Sequence, residues 1–266
     1  MQKVYNFNCA EAFAKITLDW RRWAKDTGAK KFILGLSGGK DSSVVAALAV
    51  KIFGAENVYG VFMPNTDYKD ENIVNELCKH LGLEKGKNYF KACIHDAYIA
   101  ITSAMTIINE IEISSDTATN LPARLRMATI YAYGQTLGAR PLCTSNLSEN
   151  VVGYSTLYGD HAGSYAPIGD LTVTEVIQLG EWLGLDKKFT RKTPEDGLSG
   201  KTDEENLGIT YEELDKFIRT GQISSEEKRE EILKRFKANS FKTSTVSIPS
   251  PFMDLPFCIV PSNWEF

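Results

Sequence analysis

The fold of this chain is decided by one stretch of sequence, Lys31-Phe32-Ile33-Leu34-Gly35-Leu36-Ser37-Gly38-Gly39-Lys40-Asp41-Ser42. It opens with a short apolar run, which predicts a buried strand. The glycines that follow predict a tight turn, and the alanine-rich stretch from Ser42 to Val50 favours a helix. Strand, glycine turn and helix in this order predict the first unit of an α/β protein.

The same alternation continues along the chain. Short apolar runs predict further strands, and stretches with helical periodicity separate them. Because strands alternate with helices, we expect a doubly wound parallel sheet flanked by helices. Pro122 is expected in the first turn of its helix, where a missing N–H is tolerated. The predicted strands are Val58–Met63, Tyr89–Ala92 and Ala139–Thr144, and the predicted helices between them include Asp70–Leu81 and Leu121–Leu137.

The remaining sequence predicts helices at both ends and two long loops. Helical patterns cover Cys9–Lys25, Glu175–Leu183, Tyr211–Ile218 and Ser224–Asn239. The segments Ser145–Gly169 and Thr190–Leu207 lack periodicity, and long loops in a compact domain are usually functional or disordered. Because the tail from Thr243 is rich in proline, we expect it to lie extended. Residues 1–266 are therefore predicted to form a single domain with an extended C-terminal tail.

The composition is that of an ordinary globular protein. The 266 residues are 43% hydrophobic and 24% charged, and the formal net charge is -4. Mixed charges of this kind argue against a general electrostatic grip on nucleic acid or on an anionic membrane. Any phosphate-bearing partner must therefore be held locally.

Targeting signals and cysteine usage indicate a compartment. We find neither the apolar core of a signal peptide nor a run of roughly 20 apolar residues that could span a membrane. The five cysteines are scattered without CxxC spacing, which is typical of free thiols in a reducing compartment. These features predict a cytoplasmic protein.

The glycine turn suits phosphate binding. Backbone N–H groups in such a turn approach an anion closely, and the N-terminus of the following helix adds partial positive charge. The spacing fits neither a Walker A loop nor the G-x-G-x-x-G turn of dinucleotide-binding strands. The Ser-Gly-Gly-x-Asp-Ser pattern instead resembles the pyrophosphate loop of the adenine nucleotide alpha hydrolases, which split ATP between its α and β phosphates. We therefore predict ATP contacts from Gly35, Leu36, Ser37, Gly38, Gly39, Lys40, Asp41 and Ser42.

An acid inside a phosphate loop would repel its ligand unless a cation lies between them. Asp41 is therefore a candidate Mg²⁺ ligand, because Mg²⁺ readily bridges a carboxylate and phosphate oxygens. The alternative is a structural role in which Asp41 only caps the helix that starts at Ser42.

Four further motifs follow in order. Together with the phosphate loop they resemble the NAD+ synthetase family, and this resemblance runs from about Phe13 to Lys242. Five ordered motifs are strong evidence, whereas any one of them is weak. The four are Asn120-Leu121-Pro122-Ala123-Arg124-Leu125-Arg126-Met127, Thr144-Ser145-Asn146-Leu147-Ser148-Glu149, Gly153-Tyr154-Ser155-Thr156-Leu157-Tyr158-Gly159-Asp160 and Lys201-Thr202-Asp203-Glu204-Glu205-Asn206-Leu207-Gly208.

The resemblance implies a Rossmann-like fold of the adenine nucleotide alpha hydrolase type and a two-step ligase reaction. The nicotinate carboxylate of deamido-NAD+ attacks the α phosphate of ATP, and ammonia then displaces AMP to give NAD+. It further implies Mg²⁺ as cofactor and a homodimer with its sites near the subunit interface. Tyr131 and Tyr133 would suit a subunit interface, and they would equally suit the core of a monomer. Because only about thirty residues precede the first strand, we expect free ammonia, or ammonia delivered by a separate subunit, rather than glutamine.

Site residues are transferred from the family position by position. Asp41 and Glu149 match its Mg²⁺ ligands, and Thr144 matches a threonine that contacts ATP. Arg124 matches an arginine that contacts deamido-NAD+, and the resemblance implies that this contact comes from the neighbouring subunit. Asp160 is retained in its motif, and Lys242 stands where it could reach a substrate phosphate or lie in solvent.

The chain also departs from the family. Many members have a lysine where this chain has Leu157 and another where it has Val173. They have an aspartate in place of Ser164, and a threonine or serine in place of Glu195. In those members the positions contact ATP or the dinucleotide. Phe241 replaces a histidine that often precedes the C-terminal lysine.

Two other functions stay open from sequence. A related ATP pyrophosphatase could adenylate a different acceptor in an amide-forming or tRNA-modifying reaction, although neither a basic patch nor an added nucleic-acid-binding domain is visible. An inert nucleotide-binding module is the third reading, and the retained Asp41 and Glu149 count against it.

Overall fold

The computed structural model describes residues 5–66, 68–191, 203–245, 248–251, 253 and 255–259. Four parallel strands form its sheet in the order β3-β2-β1-β4. The strands are β1 Phe32–Gly35, β2 Val58–Phe62, β3 Tyr89–Lys91 and β4 Arg140–Pro141, and the helices are α1 Cys9–Thr27, α2 Lys40–Phe53, α3 Glu71–Leu81, α4 His95–Ser103, α5 Ser115–Leu137, α6 Leu147–Val152, α7 Val173–Trp182, α8 Lys187–Thr190, α9 Asp203–Leu207, α10 Tyr211–Thr220 and α11 Glu226–Thr245.

Both faces of the sheet are covered, which confirms the predicted doubly wound architecture. Phe32 and Leu34 of β1 point into a core shared with α1, α2 and α7, whereas Ile33 between them packs with residues of α5 on the other face. All three side chains are fully buried. A strand buried on both faces reads as a continuous apolar run, as this one does.

The strand order places the site. From β1 the chain moves outward to β2 and β3, and it then returns to β4 on the other side of β1. The carboxyl ends of β1 and β4 therefore flank the point where the strand order reverses, which is where open α/β sheets bind ligands. The phosphate loop follows β1, and Thr144 follows β4.

An aromatic cluster fixes the loop beyond β4. Trp20 of α1 is fully buried, and its ring stacks on Tyr165 with centroids 5.2 Å apart. The Tyr165 hydroxyl donates to Asp19 Oδ2 at 2.8 Å, and the Tyr165 carbonyl accepts from Cys143 N at 2.9 Å. Tyr165 therefore joins the edge of the sheet beside β4 and anchors the segment that carries Asp160.

Several predicted element bounds are wrong. The α5 helix begins at Ser115, capped by the Ser114 hydroxyl, so Pro122 lies inside the helix and not in its first turn. The predicted loop 145–169 contains α6, and the predicted loop 190–207 ends in α9. The α11 helix continues to Thr245, beyond the predicted tail start at Thr243. Its described continuation has no helix or strand.

Two further findings bear on the expected compartment and on the described part of the tail. Among the described residues, no helix has the length and apolar character needed to cross a bilayer. All five cysteines are free thiols in the structure. Part of the tail packs on the body, because Met253 is buried and the Ala166 N–H donates to the Pro249 carbonyl at 2.9 Å.

Candidate active site

The phosphate loop is held open by glycine. Gly38 has φ +79°, a left-handed conformation, and a Cβ at this position would lie 2.7 Å from Ile73 Cγ2. Gly39 is the N-cap of α2, and a glycine has no side chain that could cap the helix itself. The N-terminus of α2 therefore keeps the partial positive charge that attracts phosphate oxygens.

Serine hydroxyls close this loop on itself. Ser37 Oγ and Ser42 Oγ lie 3.0 Å apart, and the Ser37 N–H donates to Ser42 Oγ at 3.3 Å. The Ser43 hydroxyl donates to the Gly39 carbonyl at 2.8 Å. These bonds fix the loop before any ligand arrives, so little conformational entropy remains to be lost on binding.

A large cavity opens at the carboxyl ends of β1 and β4. Its volume is about 860 Å³, which is in the range of sites for nucleotide-sized ligands. The phosphate loop forms one wall, and α5 forms another. The predicted site residues that line it are Gly35, Leu36, Ser37, Gly39, Lys40, Asp41, Ser42, Thr144, Glu149 and Asp160.

Asn146 connects the two predicted metal ligands. Its side-chain amide donates to Asp41 Oδ1 at 3.0 Å, and its Oδ1 accepts the Glu149 N–H at 3.0 Å. The Asn146 N–H donates to Glu149 Oε2 at 3.3 Å, which completes a capping box at the start of α6. One fully buried asparagine thus fixes both carboxylates relative to each other.

Lys40 supplies a positive charge beside this pair. Its Nζ lies 3.0 Å from Asp41 Oδ2 and 5.4 Å from the centre of the Tyr211 ring. The lysine is 5% exposed, so its charge is poorly screened by solvent. Because α2 begins at Lys40, Asp41 lies in the first turn and Gly39 is the N-cap, so the alternative in which Asp41 only caps the helix is wrong.

The carboxylates repel one another at the bottom of the cavity. Burial, and then the charge of Asp41, raise the pKa of Glu149 well above its usual range, while Lys40 opposes this rise. Burial likewise raises the pKa of Asp160. A site that destabilises its own negative charge in this way is suited to a cation.

Two transferred residues lie outside the cavity lining. The Arg124 side chain is exposed, and its Nε donates to the Leu157 carbonyl at 3.3 Å. Lys242 Nζ donates to the carbonyls of Gly153 and Ser155 at 2.7 and 2.8 Å. The structure therefore gives Lys242 a role in fixing the loop after α6. That Lys242 contacts a substrate phosphate remains a prediction.

Arg126 is a cavity cation to which the sequence motifs assign no role. It lines the cavity, and its Nε donates to the Met63 carbonyl at 2.9 Å. Burial lowers the pKa of the guanidinium, and the charge of Asp160 opposes that change. Two residues along a helix turn the side chain by about 200°. Arg124 and Arg126 consequently face different surroundings on α5.

The two tyrosines also separate. Tyr131 lines the cavity, whereas Tyr133 packs on Phe90 with ring centroids 5.6 Å apart.

The positions at which the chain departs from the family lie in different surroundings. Val173 is buried at the start of α7, and Leu157 and Ser164 are half-buried. Glu195, like Lys201 and Thr202 of the last motif, lies outside the described residues.

The site thus combines a phosphate loop that contains Asp41, at the point where the strand order reverses, with a second carboxylate, Glu149, bonded to the same asparagine. The family model described as NAD synthase matches residues 13–248. The chain belongs to the NAD synthase family. It is thus an enzyme of the ligase class, one that forms a carbon–nitrogen bond.

Individual members of the NAD synthase family resemble the chain over most of its length. The NH(3)-dependent NAD(+) synthetase of Finegoldia magna is 34% identical over 236 residues, covering 86% of this chain and 93% of that protein. Among solved structures, the NMN synthetase of Francisella tularensis has a TM-score of 0.81 at 30% identity, over 92% of this chain and 99% of that one. An NH3-dependent NAD synthetase from Campylobacter jejuni has a TM-score of 0.70 at 28% identity, over 91% and 99%.

Proposed function

We propose that this enzyme makes NAD+ from deamido-NAD+, ATP and ammonia, releasing AMP and pyrophosphate. The observation that carries the proposal is the position of Asp41, within the phosphate loop, and Glu149, both bonded to Asn146 and both lining the cavity. The family assignment supplies the reaction class.

In the first step a carboxylate oxygen of the acceptor attacks the α phosphorus of ATP, and the bond to the bridging oxygen of pyrophosphate breaks. Backbone N–H groups at the start of α2 and the Ser37 and Ser42 hydroxyls bind phosphate oxygens whose charge increases as pyrophosphate leaves. Lys40 and Arg126 add positive charge to the same cavity. This charge offsets the repulsion between the two anionic substrates.

Asp41 and Glu149 are proposed to hold Mg²⁺. The donor chemistry fits, because Mg²⁺ prefers carboxylate oxygens and keeps positions for phosphate and water. The raised pKa of Glu149 fits too, since an adjacent cation would relieve its repulsion from Asp41. When bound, Mg²⁺ would neutralise the phosphate charge that otherwise opposes the attack.

In the second step ammonia attacks the acyl carbon, AMP leaves with the carboxylate oxygen, and the nitrogen loses a proton. The acyl adenylate must be kept from water until then. We assign no side chain as an obligatory base, because ammonia already carries the attacking lone pair.

A second acceptor is favoured by specific observations. The similar Francisella tularensis protein is named an NMN synthetase. This chain also lacks the family's charged residues at Leu157, Ser164 and Val173, and its Arg124 is held at the Leu157 carbonyl. A mononucleotide acid, which needs fewer contacts than the dinucleotide, is therefore the alternative acceptor.

We further propose a homodimer in the cytoplasm. Ile107 and Ile108 beside α4 are 77% and 75% exposed, and Ile111 is 51% exposed. Exposed apolar side chains this close together are typical of an interaction surface. They directly precede α5, the helix that carries Arg124, which supports the expectation that Arg124 serves a neighbouring subunit.

The function is tested with purified enzyme, Mg-ATP and ammonium, and with either deamido-NAD+ or nicotinate mononucleotide as acceptor. We expect NAD+ and AMP in equal amounts, and loss of both products in Asp41→Ala. Faster turnover of the mononucleotide would select the second acceptor. If no AMP is released with either acceptor, both proposed acceptors are wrong.

A further inference from the structure

A second cavity of about 280 Å³ lies behind the first. The two cavities share a wall made of two backbone segments. Thr144 and Asp160 line the first cavity, whereas their neighbours Ser145 and His161 line the second. Neighbouring residues of each segment therefore face different cavities.

The second cavity contains two polar atoms without a partner. His161 is 5% exposed, and within the described part of the chain its Nδ1 has no hydrogen-bond partner. The same holds for the buried Oδ1 of Asn150. Both side chains line the cavity. Because a buried polar atom without a partner is costly, two at one cavity indicate that a small molecule, either water or a ligand, bonds to them.

A ligand that donates hydrogen bonds would satisfy both atoms. Asn150 Oδ1 only accepts, and Nδ1 of a neutral imidazole accepts when the proton is on Nε2. Burial lowers the pKa of His161, which favours the neutral ring; the charge of Asp160 opposes this change, and the charge of Lys242 adds to it. The Asp170 carboxyl group also lines the cavity; it accepts from the Ser250 hydroxyl at 3.4 Å and would repel an anion.

Metal ions are a poor fit. Among the described residues there is no group of three or more His, Cys, Asp and Glu side chains that could hold one. Ammonium has four N–H donors, a single positive charge and roughly the size of water. Water has two donors and would also satisfy both acceptors, but only ammonium gains in addition from the nearby Asp170 carboxyl group.

We propose that the second cavity binds the nitrogen donor as ammonium, held by His161 Nδ1 and Asn150 Oδ1. This inference rests on the proposed function for its biological meaning. Ammonium bound there is separated from the acyl adenylate by the shared wall, on the side away from ATP. Before it can attack the acyl carbon, ammonium gives one proton to the neutral His161 ring and becomes ammonia, which carries the required lone pair.

Binding is tested first without ATP or acceptor. The chain has three histidines, so ¹⁵N-labelled imidazole signals of the full-length protein are assigned by omission in His161→Asn. Ammonium chloride is titrated against sodium chloride at equal ionic strength. We expect a saturable shift of the His161 Nδ1 signal with ammonium alone, and none at His80 or His95. An unmoved signal, or equal shifts in both salts, would overturn the proposal.

Kinetics separate this site from the rest of the reaction. His161→Leu removes the acceptor, whereas His161→Asn retains one close to Nδ1. We expect the KM for ammonium to rise roughly three- to tenfold in the leucine variant and to stay near wild type in the asparagine variant. Acceptor-dependent ATP–pyrophosphate exchange, measured without ammonium, should be alike in all three proteins. Equal loss of exchange and amidation, or an unaltered KM, would contradict the proposal.

The two proposals fail in different ways. If the wild-type protein shows no exchange with either acceptor, the proposed function is wrong, and the imidazole titration still decides whether ammonium binds. If exchange proceeds and the His161 Nδ1 signal does not shift with ammonium, only the proposed ammonium site is wrong.

Discussion

The side-chain amide of Asn146 donates to Asp41 Oδ1 at 3.0 Å, joining residues 105 positions apart. Asp41 lies in the first turn of α2 after β1, and Asn146 caps α6 after β4. The bond therefore links the two elements that flank the switch point of the sheet. It also ties Asp41 to Glu149, because Asn146 accepts the Glu149 N–H.

Asn146→Ala should reduce activity more than stability. Losing the cap of α6 costs about 1 kcal/mol, and the freed Asp41 would no longer be fixed relative to Glu149. We expect the Mg²⁺ concentration for half-maximal activity to rise at least about tenfold. Asn8→Ala is the matched control, because Asn8 caps α1 through bonds to Ala10 and Glu11 N–H groups. Asn8→Ala should lose a similar amount of thermal stability and keep the Mg²⁺ dependence of the wild type. An equal Mg²⁺ dependence in the two variants would contradict the role of Asn146 in positioning the two carboxylates.

Gly38→Ala should abolish tight ATP binding. The methyl group would meet Ile73 Cγ2 at 2.7 Å, and alanine disfavours φ +79°. The control is Gly28→Ala, where φ is +68° and a Cβ has no atom within 4 Å. Both changes impose about 1 kcal/mol of backbone strain, but only the first displaces the phosphate loop. We expect a tenfold or larger increase in the KM for ATP in Gly38→Ala alone, measured by exchange.

Asp215 should make stability depend on pH. Burial raises its pKa from 3.8 to about 6, although the Ser148 hydroxyl and the Thr174 N–H donate to its carboxylate. The folded state therefore holds this proton more tightly than the unfolded state does. Its stabilising contribution is present below pH 3.8 and is lost as pH rises through about 6.

The difference between 3.8 and about 6 corresponds to roughly 3 kcal/mol. Asp215→Asn removes this titration, so the free energy of unfolding should fall less steeply between pH 4 and 7 than in wild type. Urea unfolding at each pH measures both curves. Parallel curves would show that Asp215 titrates normally.

The exposed isoleucines predict the oligomeric state. Ile107→Asp with Ile108→Asp should convert a dimer into a monomer, because each charge would be buried at the interface. Leu18→Asp is the control, since Leu18 is 64% exposed on α1. Sedimentation velocity should show a dimer for wild type and for the control. A monomeric wild type, or a dimer that survives the double change, would refute the interface.

The fold was predictable where its signals are local. The apolar run before Gly35 and the alanines after Ser42 define β1 and α2 by themselves. The α5 start was missed because Pro122 was treated as a first-turn marker, although Ser114 with Thr117 three residues later is a readable cap. Helix α5 continues through Pro122 although an internal proline removes one helix hydrogen bond. Sequence periodicity alone does not show that the surrounding structure accepts this loss.

The site was predictable in part. The ordered motifs led to Asp41, Thr144, Glu149 and Asp160, all of which line one cavity. Asn146 was missed, although asparagine followed three residues later by glutamate is a capping-box signal. The orientation of Arg126 depends on how α5 lies against the sheet, which is a tertiary property that no local pattern encodes.

The central claim is that this enzyme activates a carboxylate by adenylation, and isotope transfer tests it most directly. Deamido-NAD+ carrying ¹⁸O in its nicotinate carboxylate is converted with Mg-ATP and ammonium, and AMP and pyrophosphate are analysed by mass spectrometry. The account predicts one carboxylate oxygen in AMP and none in pyrophosphate. AMP without the label, formed together with NAD+, would contradict an acyl adenylate and with it the proposed mechanism.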